Sequence, residues 1–223
     1  MSSKSITAST SVILFDHDGT LIDSEATHYR LWQDVLSPYK VVLSEAFYSS
    51  EMAGIPVNQN GKDVVRHFNL DVAPQVLADA KHAKTREFLK SQAFPLMPYA
   101  KQAIQACAEA GYTLGIVTGG SGLSVKRTLE AYGIGDWIKT VVAAEDVEHS
   151  KPAPDCYLKA ARQLNVSSDQ CVAVEDTQHG LEAADSAAMR CVVIPTAHSA
   201  KHDFRAATSR YGSLEQWVET EIG

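Results

Sequence analysis

The stretch Val12-Ile13-Leu14-Phe15-Asp16-His17-Asp18-Gly19-Thr20 reads VILFDHDGT. An apolar run stops at two acids one residue apart. Four apolar residues in a row, without alternation, describe a short strand covered on both faces, as in a parallel sheet. Carboxylates at the end of such a strand are costly to bury unless something compensates them. The stretch is therefore either a solvated exit turn or a place where acids meet a cation.

Similar segments recur along the chain. Tyr112–Val117 (YTLGIV), Gln170–Val174 (QCVAV) and Cys191–Ile194 (CVVI) have the same short, near-continuous apolar character, and Thr140–Ala143 (TVVA) is a weaker case. From Pro98 onward they alternate with helical patterns. These are Tyr99–Ala110, stopped by Gly111, then Gly122–Ala131, ending at Gly133, then Pro154–Leu164 and Gly180–Ala188. The alternation predicts a doubly wound, parallel, Rossmann-like α/β sheet.

One interval breaks this rhythm. Between Asp18 and Tyr112 no convincing strand is found, and Ser24–Leu36, Ser44–Met52, Val57–Phe68 and Pro74–Phe88 read as helices. An ordinary crossover is far shorter. The interval reads as an inserted α-helical cap domain over residues 24–94, with a core formed by residues 1–23 and 95–223. Its hinges fall near Asp23–Ser24 and Phe94–Pro98. The alternative is that these helices pack on the face of the sheet.

Composition narrows the partners. The chain has 223 residues, of which 45% are hydrophobic and 21% charged, and its net charge is −7. That balance argues against nucleic acid or anionic membrane as the main partner, since both demand clustered cations. An anionic substrate stays open, because a metal or a local patch inverts the local sign. The four cysteines form no C-x-x-C pair and are expected to be buried, reduced thiols. The N-terminal MSSKSITASTS is polar, and no apolar run approaches the ~18 residues that suggest a membrane span. The expectation is a cytoplasmic monomer.

In open α/β sheets, ligands bind beyond the carboxyl ends of the strands. After the first strand come Asp16, Asp18, Gly19 and Thr20. After the second come Thr118, Gly119, Gly120 and Ser121, opening a helix. Beyond the weaker strand lies Lys151-Pro152-Ala153-Pro154-Asp155, and after Val174 come Glu175, Asp176 and Thr177. Asp16 and Asp18, two apart, are expected to point the same way on an extended strand end. With Glu175 and Asp176 they place up to four acids at one rim. Oxygen-only ligands select a hard ion, for which Mg²⁺ is the best fit. Thr118–Ser121 offers hydroxyls and backbone N–H groups to an anion, and Lys151 adds a positive charge. Together these suit phosphoryl transfer, which is mostly positioning and charge neutralisation. Two acids serve two jobs, Asp16 as nucleophile and Asp18 as acid and base. His149, His179, His198 and His202 suggest no zinc site. His17 is read as a spacer whose backbone matters more than its ring.

At these residues the chain resembles the haloacid dehalogenase (HAD) superfamily. The match runs through FDHDGTLIDSE, TGGS, KPAPD and VEDTQHG, and covers nearly the whole chain. In closer detail it resembles the β-phosphoglucomutase-like and sugar-phosphatase branch, fructose-1-phosphate phosphatases included. The resemblance implies a helical cap and a Mg²⁺-dependent enzyme acting on a small phosphorylated metabolite. It implies Asp16 as nucleophile and Asp18 as acid/base, whose backbone carbonyl also ligates the metal. It places the Thr118 hydroxyl and the Gly119 N–H on the phosphoryl group and Lys151 beside the nucleophile. Asp176 becomes a metal ligand, with Glu175 a ligand or one step behind it. Gly120 and Ser121 complete the phosphate loop, and Glu25, His28, Asn58 and Lys62 are candidate cap contacts.

Asp18 favours phosphoester chemistry, because relatives acting on other bonds lack it. A phosphosugar mutase is the alternative. It needs a cap arginine for a second phosphate, and the corresponding position here is Val57. His28 lies where the mutases have a hinge histidine. A non-catalytic binding protein on the same fold is the remaining reading.

Overall fold

The computed structural model describes residues 6–223, so the first five residues of the polar N-terminal stretch lie outside it. The chain divides into two compact units. One comprises the chain up to Asp23 together with Phe94–Gly223, and the other is Ser24–Ala93.

The first unit is built on a six-stranded parallel sheet. Its strands are β1 (Val12–Phe15), β2 (Thr113–Val117), β3 (Ile138–Val142), β4 (Cys171–Glu175), β5 (Arg190–Val193) and β6 (Ser209–Arg210). They lie in the order β3-β2-β1-β4-β5-β6, and every pairing is parallel. Leu14 stands opposite Gly115 on one side and Ala173 on the other. All four residues of β1 are buried, as an unalternating apolar strand at the centre of a covered sheet must be.

The pleat divides these residues between two cores. Val12 and Leu14 pack with Cys156, Tyr157, Ala160 and Leu181, from α7 (Asp155–Leu164) and α8 (Gln178–Ser186). Ile13 and Phe15 pack on the opposite face with Ile104, Val125 and Trp217. Those three come from α5 (Ala100–Glu109), α6 (Gly122–Tyr132) and α9 (Leu214–Glu221). The four cysteines are all buried and free.

The second unit holds α1 (Glu25–Leu36), α2 (Glu45–Glu51), α3 (Val57–Phe68) and α4 (Pro74–Ser91) around its own core of Trp32, Leu36, Leu43, Tyr48, Val64 and Leu77. Ser44 caps α2 by accepting from Phe47 N–H at 3.2 Å. Among the described residues, no helix is long and apolar enough to cross a membrane.

Two elements escape the sequence reading. β6 has only two residues, and α9 follows a long polar stretch with no strand pattern ahead of it. Yet Trp217 of α9 is fully buried and meets the Phe15 ring edge-on, with centroids 6.0 Å apart. A further correction concerns Glu175. It is the last residue of β4, paired with Val193, rather than the first of the following loop. Its backbone is therefore fixed by the sheet.

The burial of Trp217 makes a stability prediction. Trp217→Ala removes a large side chain from under the central strand and should cost about 3–5 kcal/mol. The check is urea-induced unfolding. A loss below about 1 kcal/mol would mean that α9 is not part of the cooperative core.

Candidate active site

The order of strands reverses between β1 and β4, which is where open α/β sheets receive ligands. Asp16 follows β1, and its backbone N–H bonds to Val174 O at 2.9 Å. Glu175 and Asp176 stand at the end of β4. One carboxylate oxygen from each of Asp16, Glu175 and Asp176 lies within 4.8 Å of the others, and all three residues are buried.

Lys151 enters this cluster from the loop ahead of α7. Its Nζ donates to Asp16 Oδ1 at 2.6 Å, to Glu175 Oε1 at 2.6 Å and to Val117 O at 2.8 Å. All three ammonium hydrogens are thereby used. Tyr157 of α7 donates its hydroxyl to the same Glu175 Oε1 at 2.6 Å. Glu175 Oε2 and Asp176 Oδ1 are buried and have no hydrogen-bond partner.

The electrostatics follow from this crowding. Burial raises Asp16 above the usual carboxylate range, against the pull of Lys151. It pushes Glu175 up to about 7, again opposed by Lys151. Asp176 is raised well above its usual range, first by burial and then by the charges of Asp16 and Glu175. Burial works against the Lys151 ammonium, but Asp16 and Glu175 outweigh it and hold its pKa above the usual value. With all three carboxylates ionised, the cluster and the one ammonium would carry two negative charges, which a divalent cation would cancel. The two orphaned oxygens and the oxygen-only donor set fit a hard divalent ion.

Glycines make room for these acids. At Gly19, whose φ is +84°, a Cβ would lie 2.3 Å from Asp176 Oδ2. At Gly180 a Cβ would lie 1.9 Å from the Glu175 carboxyl carbon. At Gly120 it would lie 2.7 Å from Asp18 Oδ2 and 3.2 Å from Thr118 Oγ1.

That last contact corrects the expectation that Asp16 and Asp18 point the same way. The acid cluster holds three carboxylates, and the Asp18 carboxylate stands instead beside the Thr118–Gly120 turn. The Thr118 hydroxyl accepts from Gly120 N–H at 2.8 Å, which leaves its own proton to donate. Gly119 lies near the Ser150 hydroxyl, whose Oγ is 3.5 Å from the position of a Cβ. Ser121 differs from expectation too. Its hydroxyl is the N-cap of α6, accepting from Ser124 N–H at 3.3 Å, while Glu145 takes the Gly122 N–H. Part of the expected anion loop is thus spent on capping.

His17 is more than a spacer. Its carbonyl accepts from both Leu21 and Ile22 N–H, which folds the turn after β1. Its ring is fully buried, with Nε2 3.0 Å from Thr128 Oγ1. Thr128 gives its own proton to Ser124 O, so Nε2 is the nitrogen that carries hydrogen. Nδ1 lies 3.7 Å from Asp18 Oδ2.

The remaining candidates belong to the helical unit. The Glu25 carboxylate accepts from the Tyr48 hydroxyl and from Gly54 N–H, the latter at 3.1 Å, and so holds the turn after α2. His28 Nδ1 is 3.1 Å from Lys81 Nζ, which also donates to Thr85 Oγ1 at 3.0 Å. Asn58 and Lys62 lie exposed on α3. Sequence reading missed Lys81, Tyr157 and Asn60. Lys81 is buried, and Asn60 donates to Met52 O and Ile55 O. A buried lysine carries no local mark in the sequence. Tyr157 does follow the KPAPD motif closely, which is a usable signal.

The close approach at Gly180 can be tested directly. Alanine is favoured over glycine in a helix by about 1 kcal/mol. A Gly180→Ala variant should nonetheless be destabilised by about 1–3 kcal/mol, because its Cβ displaces the Glu175 carboxylate. Denaturant unfolding is the check, and a variant as stable as the parent would mean that the carboxylate has room to move.

Comparison with known proteins bears on this geometry. The model of the haloacid dehalogenase-like hydrolase family matches residues 13–194. Fructose-1-phosphate phosphatase YqaB of Escherichia coli is 30% identical over 183 residues, covering 81% of this chain and 94% of its own. The protein CbbY of Cereibacter sphaeroides is 31% identical over 206 residues, covering 87% of this chain and 88% of its own. A crystal structure of a CbbY variant from Rhodobacter sphaeroides, in complex with xylulose-1,5-bisphosphate, superposes with a TM-score of 0.79 at 29% identity. It covers 92% of this chain and 95% of that one. With the buried acids at the β1–β4 switch, these matches establish that the chain belongs to the haloacid dehalogenase-like hydrolases and is a phosphatase among them.

Proposed function

We propose that this phosphatase is a Mg²⁺-dependent enzyme that hydrolyses a small sugar phosphate through a phosphoryl group carried on Asp16. The observation that carries the reading is the buried Asp16 carboxylate, tied to Lys151 at 2.6 Å beside two acids with unpartnered oxygens. Asp16, Asp176, Glu175 and the Asp18 carbonyl would hold the metal. When bound, it supplies a positive charge that draws the phosphoryl oxygens together and neutralises them.

The chain's own groups supply the remaining chemistry. The Asp16 carboxylate attacks phosphorus as the bond from phosphorus to the ester oxygen breaks. Asp18 gives its proton to that departing oxygen. Lys151 holds Asp16 in place and offsets the charge gathering around it, and Thr118 donates its free hydroxyl proton to a phosphoryl oxygen. In the second half, Asp18 takes a proton from water. The water oxygen bonds to phosphorus, and the Asp16 carboxylate departs with its electron pair.

The substrate class rests on the relatives, whose names refer to fructose 1-phosphate and xylulose 1,5-bisphosphate. The mutase reading rests on His28 at the position of a mutase hinge histidine, a residue that sugar phosphatases share. Val57, where a mutase would carry an arginine, weighs against it.

Two experiments test the proposal. Asp16→Asn keeps the side-chain size and removes the nucleophile, so turnover should fall about 10³-fold or more with the fold intact by circular dichroism. Near-normal turnover in that variant would refute the mechanism. The second is phosphate release from fructose 1-phosphate, glucose 6-phosphate, β-glucose 1-phosphate, 2-deoxyglucose 6-phosphate, phosphoglycolate and xylulose 1,5-bisphosphate, each with Mg²⁺ and with EDTA. Release from a preferred sugar ester, abolished by EDTA, is the expected result. Isomer formation that needs added bisphosphate, with little free phosphate, would favour the mutase.

A further inference from the structure

The two oxygens of Glu175 are treated unequally. Oε1 accepts from Lys151 Nζ and from the Tyr157 hydroxyl, each at 2.6 Å. Oε2 is buried with no partner. Tyr157 is fully buried on α7, and its ring lies 5.2 Å from the Lys151 ammonium. On the other side, the absent Cβ of Gly180 leaves the carboxylate packed against helix backbone. We propose that Tyr157 is a positioning residue that holds Glu175 with Oε1 on Lys151 and keeps Oε2 for the divalent cation, so that one carboxylate serves two positive charges.

The terminal torsion of a glutamate is broad and roughly two-fold. With Lys151 as its only partner, the carboxylate is free to rotate and offer both oxygens to the ammonium. It would then present less charge to a metal. A second donor on Oε1 removes that freedom. The donor is also neutral, so it restrains the carboxylate without cancelling its charge, which a second lysine would do. Groups that orient metal ligands in this way commonly change metal affinity 10–100-fold when removed.

This inference rests on the metal reading proposed above, and its test separates the two. Mg²⁺ is titrated calorimetrically into substrate-free wild type, Tyr157→Phe and Thr140→Val. The last removes a hydroxyl hydrogen-bonded to Gln163 of the same helix, away from the acids. Tyr157→Phe should weaken Mg²⁺ binding about ten-fold. The Mg²⁺ concentration for half-maximal turnover should rise in step, with KM for the ester unchanged within about two-fold. Thr140→Val should bind Mg²⁺ like wild type even where its melting temperature falls as far. A Tyr157→Phe protein that loses stability but binds Mg²⁺ like wild type overturns the assignment alone. A wild type that shows no Mg²⁺ binding overturns the metal reading, and the role of Tyr157 with it.

Discussion

The ammonium of Lys151, held between Asp16 and Glu175, is the interaction on which the rest of the site depends. It is buried, and each of its hydrogens has a partner. Removing one partner from a buried charge pair costs about 3–5 kcal/mol, because the survivor is left without compensation. Lys151 is therefore structural, apart from the role proposed for it in the chemistry. It also requires three separate stretches of chain to meet: the end of β1, the end of β4 and the loop before α7. The parallel order of the sheet brings the two strand ends together, and the amphipathic face of α7 seats its first turn over them.

Lys151 leaves the acids incompletely compensated. Two negative charges remain when the three carboxylates are ionised, and two buried oxygens have no donor. A covered site with such an excess of negative charge fits a divalent cation. The same crowding explains why small residues flank the acids. Any side chain at Gly19 or Gly180 would occupy the space the carboxylates need.

Much of this was legible from local pattern. Short apolar runs and glycine stops located five of the strands, because parallel strands buried on both faces leave an uninterrupted apolar signature. The acids, the Thr118 turn and Lys151 stood where strands end, so their convergence followed from the topology. β6 and α9 left no such trace. β6 is too short for a periodic signal, and α9 is recognised only by the partner that Trp217 finds beneath it. In the helical unit, the acid at Glu25 looked available for substrate, but its oxygens hold Tyr48 and Gly54.

By itself, the sequence determined the fold class and the family, and it singled out the residues to which the proposed chemistry is assigned, since these rest on residue type, spacing and order along the chain. Only the tertiary structure decided how those residues divide their contacts. It set the Asp18 carboxylate apart from the other three acids, committed Ser121 to a helix cap and placed His28 beside Lys81. It also brought the Tyr157 hydroxyl onto one oxygen of Glu175. Such pairings depend on side-chain direction between segments far apart in the chain, and no rule of local spacing encodes that.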